Sequence, residues 1–398
     1  MTDQLVHHRS PFDDWRSIVI ALYMSLVGYG VLVGIPVIST AWVELLGFTE
    51  VQVGRVAGAD LGGLSAGAVL AALFIARLNR RLLVLVSAAI AIGANLACIT
   101  ITDYESVLWL RFIAGFGSGV YTAVAIATLG ATSKPARTFN ILLFAFAFTQ
   151  AGELYFLPKL SMSGIYIAFI VSYVIGLLFL KWLPARPLER SLDVEIEHDG
   201  QTEHQHVPAY VPWLVLGAIV ATYINIGAYW TYIELASVDS EADPDWVGTV
   251  LVWTSFFSVL GCLFATVISN RFGLARPLLV TLVIQAAVVV MLANGIDNVN
   301  IVISMFAFNF LWIFVDVYQM ATIANMDHSG RFAALMPGAQ GLGQILGPNI
   351  AASILAAGMG YRGVFIMCGI ASLTAMGIYL AMYLRLRRRI PALADATG

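Results

Sequence analysis

Residues 82–102 read LLVLVSAAIAIGANLACITIT, a stretch of 21 positions without a charged side chain. A helix of about 20 residues, rising 1.5 Å per residue, crosses the roughly 30 Å hydrocarbon core of a bilayer. The whole chain is 60% apolar and 11% charged, whereas soluble domains are roughly 45–50% apolar and 25% charged. The strands of a membrane β-barrel alternate in hydrophobicity over about ten residues, and this stretch does not. The sequence therefore predicts membrane-spanning α-helices, which satisfy their backbone hydrogen bonds internally.

Eleven further stretches of the same kind give an all-α membrane protein with twelve transmembrane helices. The predicted helices are Ser17–Ser39, Val51–Ala76, Leu82–Thr102, Ser106–Gly130, Thr138–Leu157, Ile165–Leu183, Pro212–Ala236, Trp246–Ser269, Pro277–Asn294, Val299–Ala324, Ala333–Ala357 and Gly363–Leu384.

The distribution of basic residues predicts the orientation of these helices. If the N-terminus is inside, the inner side carries 17 of the 21 Lys and Arg residues, the outer loops carry only Lys159 and Arg362, and two more lie within helices. Basic residues concentrate on the cytoplasmic side, so both termini are expected there. The polar segment 1–16 lacks the features of a cleaved signal peptide. We expect a multi-pass protein of the bacterial inner (cytoplasmic) membrane.

An internal repeat divides the chain. Val53-Gly54 matches Val247-Gly248, and Arg77 matches Arg271, both at an offset of 194 residues. The predicted domains are a cytoplasmic segment 1–16, a six-helix bundle 17–183, a cytoplasmic linker 184–211, a second six-helix bundle 212–384 and a basic cytoplasmic tail 385–398. The linker contains His198, His204 and His206. A metal site there is an alternative, but its polar, acidic composition favours a solvated connection without a metal.

Three local motifs carry a resemblance to the major facilitator superfamily. Residues 270–277 read NRFGLARP, residues 77–81 read RLNRR, and residues 111–119 read RFIAGFGSG. The first two resemble the cytoplasmic signature of the family, although Ala76 and Asn270 stand where the family usually has Asp. The resemblance implies two six-helix bundles related by a pseudo-two-fold axis, secondary transport by alternating access, and no enzymatic activity. It also implies a cytoplasmic gate formed by Arg77, Arg80, Arg81, Asn270, Arg271 and Arg276.

Charged residues within the predicted helices are costly in hydrocarbon and therefore mark candidate functional sites. We expect Asp60, Arg111, Glu153 and Asp316 to take part in proton coupling. Arg111 lies at a depth that allows a pair with either Asp60 or Glu153. The alternative is an ion pair that only fixes helix packing.

Polar faces on three helices predict the solute contacts. Asn309, Trp312, Asp316 and Gln319 share one face of the tenth helix, because they are spaced at i, i+3, i+7 and i+10. A similar face on the seventh helix and an amide pair on the eleventh complete the set. The alternative is that these faces only hydrogen-bond to neighbouring helices. The predicted solute contacts are Asn225, Tyr229, Tyr232, Asn309, Trp312, Gln340 and Gln344.

These features predict a transporter of a small amphipathic or anionic organic solute, with proton-coupled uptake expected and proton-coupled efflux as the alternative. A membrane enzyme acting on lipid is a third possibility, but the histidines do not cluster at one membrane face. No ATP-binding loop is present, and we expect no cofactor. The expected partners are the solute, protons and membrane lipids, with no nucleic acid, and the protein is expected to be monomeric.

Overall fold

The structure is a computed structural model that describes residues 11–75, 78–185, 210–240, 242–326 and 331–389. The described residues form fourteen α-helices and four short 3₁₀ turns, with no β-strand among them. The helices are α1 (Trp15–Gly28), α2 (Gly30–Leu46), α3 (Glu50–Phe74), α4 (Arg80–Thr100), α5 (Tyr104–Gly130), α6 (Pro135–Phe156), α7 (Met162–Leu178), α8 (Val211–Val238), α9 (Pro244–Thr254), α10 (Phe257–Phe272), α11 (Ala275–Met291), α12 (Asn298–Met326), α13 (Arg331–Ala356) and α14 (Gly360–Arg389).

The fourteen helices form twelve spans, because α1 and α2 together make the first span and α9 and α10 together make the eighth. Ten of the spans are long and apolar enough to cross a membrane by length and composition. The remaining two are the shorter α7 and the proline-containing α13. The predicted all-α fold with twelve transmembrane helices is confirmed. We call α1–α7 the first half and α8–α14 the second half. The predicted linker 184–211 lies mostly outside the described residues.

Consecutive spans run in opposite directions, so the two ends of the bundle need names. We call the end at which α1, α8 and α13 begin the termini side, and the end at which α3 and α12 begin the opposite side. Contacts at the termini side link the start of α4 to the residues after α7, since the Arg80 amide donates to the Ala185 carbonyl. The start of α6 and the start of α1 are also adjacent, because the Ser133 amide donates to Asp13 at 2.7 Å.

Short polar motifs fix where several spans begin. Thr49 and Gln52 form a capping box at the start of α3, in which each side chain bonds the backbone amide of the other. Asp103 caps α5 by accepting from the Ser106 amide at 3.0 Å. Hydrogen bonds from Ser106 lower the pKa of the Asp103 carboxyl, so this cap stays ionised at neutral pH. An anionic cap also interacts favourably with the positive end of the helix dipole.

The first and eighth spans are interrupted, whereas the sequence predicted continuous helices there. In the first span the break falls at Tyr29, between Gly28 and Gly30, and α2 then continues through Pro36 to Leu46. The predicted end at Ser39 was therefore seven residues too early. Within α2 the Thr40 hydroxyl is satisfied by its own helix, since Thr40 Oγ1 donates to the Pro36 carbonyl at 3.3 Å. In the eighth span Thr254 Oγ1 donates to the Met305 carbonyl at 2.7 Å, beside the break.

Glycines bring α3 and α5 into direct backbone contact. A Cβ atom added at Gly119 would overlap the Leu64 carbonyl, and one added at Gly115 would overlap the Asp60 carbonyl. On α13, Gly343 and Gly347 lie in the same way against the backbone of α8. Close approach of this kind is how membrane helices associate, because lipid gives no hydrophobic force to bring them together.

This packing predicts that Gly119→Ala destabilises the protein, because overpacking a helix interface costs about 1–3 kcal/mol. Thermal unfolding of the purified protein in detergent measures the effect. Gly93→Ala is the matched control, since Gly93 lies on an exposed face of α4 with no atom near the position of its Cβ. Equal stability of the two variants would show that the α3–α5 interface can relax to admit a methyl group.

Candidate functional site

A cavity of about 360 Å³ lies between the two halves. It extends toward the termini side, because Ile126 near the end of α5 and Met336 near the start of α13 both line it. The first half contributes apolar, aromatic and hydroxyl groups, and the second half contributes amides, aromatic groups and a carboxylate. The polar and aromatic lining residues are Tyr29, Ser65, Thr122, Phe146, Tyr223, Trp312, Asp316, Gln340 and Gln344. A partly enclosed cavity with a few convergent polar groups is the usual form of a small-molecule site.

Asp316 on α12 holds the only formal charge among the described residues that line this cavity. The Tyr223 hydroxyl, on α8, lies 2.8 Å from Asp316 Oδ1 and 2.7 Å from Oδ2. One hydroxyl donates one proton, so it satisfies only part of the acceptor capacity of the carboxylate. Trp312 lies one helical turn before Asp316 and also lines the cavity. The carboxylate is therefore held in place by Tyr223 and keeps free lone pairs for a ligand or a proton.

The structure brings three of the predicted solute contacts into the cavity and places four elsewhere. Trp312, Gln340 and Gln344 line it. The other four are Asn225, Tyr229, Tyr232 and Asn309, which are at most 1% exposed and are not among its lining residues.

The four residues outside the cavity are buried among the helices. Tyr229 bonds Ser304 at 2.9 Å and stacks on Phe308 with ring centroids 3.8 Å apart. Tyr232 donates to the Glu50 carbonyl, and Asn309 donates to the carbonyl one turn before it on the same helix. Both polar atoms of the Asn225 side chain are buried without a hydrogen-bond partner among the described residues. Of these four residues, the two tyrosines therefore bond neighbouring helices, as the alternative interpretation describes.

Sequence reasoning missed Tyr223, the partner of Asp316. It precedes Asn225 by two positions, which is about 200° around a helix, so choosing the face of Asn225 excluded it. The tyrosine lies where Gly343 lets α13 approach α8 closely. A glycine-rich face on the eleventh span was visible in the sequence, but the helix that it would contact was not.

Asp60 and Arg111 form a buried ion pair within the first half. Arg111 Nε donates to Asp60 Oδ2 at 2.7 Å, and the same Asp60 oxygen lies 2.5 Å from a terminal guanidinium nitrogen of Arg111. The other terminal nitrogen donates to Asn95 at 2.8 Å, and the guanidinium lies over the Tyr166 ring. Both charged residues are 2% exposed. This network ties α3, α4, α5 and α7 together, and of the two predicted partners the structure gives Asp60 to Arg111.

Glu153 lies apart from that pair. Its carboxyl oxygens sit against Gly30 and Gly34 on α2, close to the break at Tyr29. Its Oε2 atom is buried and has no hydrogen-bond partner among the described residues. An ionised carboxylate without a cation is costly in such surroundings, so the neutral form fits better. The position of Glu153 beside a helix break makes it a candidate for a second protonation site.

Polar contacts close the interface between the halves on the opposite side. Arg55 on α3 donates to the Asn349 carbonyl at 3.2 Å, to its Oδ1 at 2.9 Å and to Ser353 at 2.9 Å, both on α13. Tyr232 reaches the Glu50 carbonyl at 2.8 Å. Gly54 and Gly58 allow this approach, since α13 atoms occupy the space of a Cβ at both positions. We call the contacts of Arg55 and Tyr232 the clasp.

The basic residues predicted to form a cytoplasmic gate make contacts within their own half where the structure describes them. Arg80 lies over the Phe12 ring and donates to Thr128, and Arg81 donates to the Leu183 and Lys181 carbonyls. These bonds anchor α4 to α5 and to the end of α7. Arg276 is exposed. Arg77 and the side chains of Asn270 and Arg271 lie outside the described part of the chain.

Comparison with known proteins decides the family. The family model described as the Major Facilitator Superfamily matches residues 17–348. The chain belongs to the major facilitator superfamily. The search of curated proteins gave no significant match.

Three solved structures of transporters share the fold of this chain. The nucleoside transporter NupG has a TM-score of 0.69 at 14% identity, with 92% of this chain and 98% of that chain covered. The POT family transporter PepTSo has a TM-score of 0.74 at 11% identity, covering 94% and 99%. A D-xylose-proton symporter has a TM-score of 0.68 at 13% identity, covering 92% and 97%. The resemblance stated from the sequence is confirmed, and the family is one of transporters and not of enzymes.

The buried ion pair predicts that removing one of its two charges strongly destabilises the protein. Asp60→Asn leaves the Arg111 charge buried without a counterion, and breaking a buried pair in this way costs about 3–5 kcal/mol. Removing both charges with Asp60→Asn and Arg111→Gln is expected to restore most of the lost stability. Unfolding in detergent measures both, with Glu105→Gln on the exposed first turn of α5 as the control. A double variant as unstable as the single one would show that charge compensation is not the cause.

We expect the clasp to hold the opposite side closed. Arg55→Ala removes hydrogen bonds from a charged donor, which are worth about 1.5–3 kcal/mol each, so the population open on the opposite side should rise about tenfold or more. A cysteine at Leu32, which lines the central cavity, reports the opening through its rate of labelling by a membrane-impermeant maleimide added on the opposite side. The background variant has alanine at Cys98, Cys262 and Cys368, and the exposed Arg276→Ala serves as control. An unchanged rate in Arg55→Ala would contradict the role of the clasp.

Proposed function

We propose that this facilitator is a secondary active transporter that couples protons to the movement of a small amphipathic organic solute by alternating access. The observation that supports it is a cavity between the halves that contains one carboxylate and lies on the termini side of a closed interface. The halves are six-span units joined at a single interface, so rocking of one half on the other can expose the cavity to either side. One of the structural relatives is named as a proton symporter.

We assign the termini side to the cytoplasmic face of a bacterial inner membrane, an orientation that the loop charges support. In that orientation the arrangement described is closed to the outside and open toward the cytoplasm. A second cavity, of about 820 Å³, lies on the opposite side and is lined by both halves, including Glu44 and Glu234. We assign it to the external vestibule, which would join the central cavity when the clasp opens.

We assign proton coupling first to Asp316, because it reaches the cavity, and second to Glu153. The Asp60–Arg111 pair would couple only if a conformational change separated its members, since it is fully compensated here. Trp312, Gln340 and Gln344 are the proposed solute contacts, with Tyr223 and Tyr29 added. The described lining carries no Lys or Arg side chain, which favours an amphipathic solute over an anionic one. We further propose that the transporting unit is the monomer.

Proteoliposomes test the proposal. A thermal-shift screen of solute classes selects the solute, and its flux is then followed with and without a pH gradient. We expect the gradient to drive the solute, and Asp316→Asn to reduce that response at least tenfold. Glu153→Gln is expected to weaken it, and Glu105→Gln to leave it unchanged.

The same vesicles separate the alternatives. Accumulation of solute on the alkaline side indicates uptake, and movement toward the acidic side indicates efflux. Flux that ignores the gradient in the unmodified protein and in both carboxyl variants would contradict proton coupling. Turnover of a lipid without any solute movement would favour the enzyme interpretation.

A further inference from the structure

The cavity contains one negative charge without a protein cation. Asp316 receives hydrogen bonds from Tyr223 and Trp312, and no Lys or Arg among the described residues forms a salt bridge with it. By contrast, Asp60 in the first half has a counterion, because it is paired with Arg111. A carboxylate without a counterion, in a cavity that the two halves can close, is stabilised when a positive charge arrives beside it. The cavity is thus built to receive a positive charge.

The groups around Asp316 suit an organic cation. Trp312, Tyr29 and Phe146 line the same cavity, together with Met320 and Met336. Aromatic faces attract ammonium groups and also pack against apolar bodies, and methionine adapts to irregular shapes. Tyr29 and Phe146 contact each other edge to face with centroids 6.0 Å apart. The two halves therefore offer an aromatic wall on one side and a carboxylate on the other.

We propose that the solute is a small organic cation, an amine or quaternary ammonium compound with an apolar body, whose charged nitrogen pairs with Asp316. This deepens the proposed function and rests on it. A bound proton and a bound cation neutralise the same carboxylate, so each excludes the other. The transporter then exchanges one proton for one cation, and an inward proton gradient drives the cation out of the cell. Efflux, the alternative direction from the sequence, follows from this geometry.

Other titratable groups leave Asp316 as the site of exchange. The described groups nearest to it on the surrounding helices are phenols, which are neutral at physiological pH. On the helices packed against α12, the other described groups with a charge or a thiol lie away from the cavity, at the ends of helices or in separate pockets. The phenols are Tyr29, Tyr223 and Tyr379, and the other groups are Glu234, Asp245, Cys262 and Arg276.

Three probes with one aromatic body and different charges test the proposal: phenethyltrimethylammonium, 2-phenylethanol and phenylacetate. Their binding to the purified full-length protein is measured by titration calorimetry at pH 7. We expect the cation to bind at least tenfold more tightly than the neutral probe, and the anion to bind most weakly. Asp316→Asn should remove this preference, lowering the affinity for the cation at least tenfold while changing the affinity for the neutral probe by less than threefold. Glu105→Gln, a carboxylate outside the cavity, should leave all three affinities unchanged.

A second measurement uses the unmodified protein, so that it does not depend on the folding of a variant. At a pH low enough for the carboxyl to be mainly protonated, binding of the cation should release a proton, which appears as a dependence of the calorimetric heat on the ionisation enthalpy of the buffer. In the same range the affinity should fall about tenfold for each unit by which the pH is lowered. Tighter binding of the neutral or anionic probe, or a cation affinity that does not fall on acidification, would overturn the proposal.

Flux separates this inference from the proposed function. If a neutral solute moves in response to a pH gradient while the ammonium probe neither binds nor moves, the cation proposal fails and proton-coupled transport stands. If no solute of any charge moves, proton-coupled transport itself fails. Counterflow of protons and the ammonium probe in a one-to-one ratio supports both.

Discussion

The close approach of α3 and α13 across the interface between the halves determines the rest of the arrangement. Gly54 and Gly58 carry no side chain where α13 lies against them, and the backbone contact lets Arg55 reach Asn349. With the halves joined there, the central cavity lies on the termini side of this contact, and the second cavity lies on the opposite side. In a bilayer, where lipid tails are as apolar as leucine, such contacts and hydrogen bonds are what holds helices together. An interface made of a few of them can also be reopened.

The polar groups of the spans divide into those that hold the bundle together and those that remain free to react. Asp60 and Arg111 compensate each other's charge, and Arg111 also bonds Asn95. We therefore expect substitutions of this pair to change the stability of the protein. Asp316 accepts hydrogen bonds from the Tyr223 phenol and the Trp312 indole, has no counterion among the described residues, and faces a cavity. Both carboxylates are equally conspicuous in the sequence, as single charges in apolar helices. What separates a structural charge from a functional one is the presence of a counterion, and that depends on which helices are neighbours.

Much of the fold could be predicted from the sequence because membrane helices follow from hydropathy and length alone. The number of spans was correct for this reason, whereas the family was identified from the resemblance of three local motifs. The breaks at Tyr29 and Ser255 were not predicted, since hydroxyl and glycine-rich stretches are compatible with both straight and broken helices. Of the site, Trp312, Asp316, Gln340 and Gln344 were found on α12 and α13.

The predicted solute contacts on α8 do not line the cavity, whereas Tyr223 on the same helix does. Helix α8 contacts neighbours on nearly every side, so its polar residues do not reveal which face borders the cavity. Coupling follows physically from the charge that remains at Asp316. When the halves close over the cavity from either side, the carboxylate loses its remaining water, and an ionised group without a partner then costs several kcal/mol. Each 1.4 kcal/mol suppresses the closed population tenfold, so the empty, ionised carrier rarely completes the movement. A proton or a cation on Asp316 removes this cost, and either one lets the halves rock. A single uncompensated carboxylate is therefore enough to make the movement of one positive charge depend on the return of another.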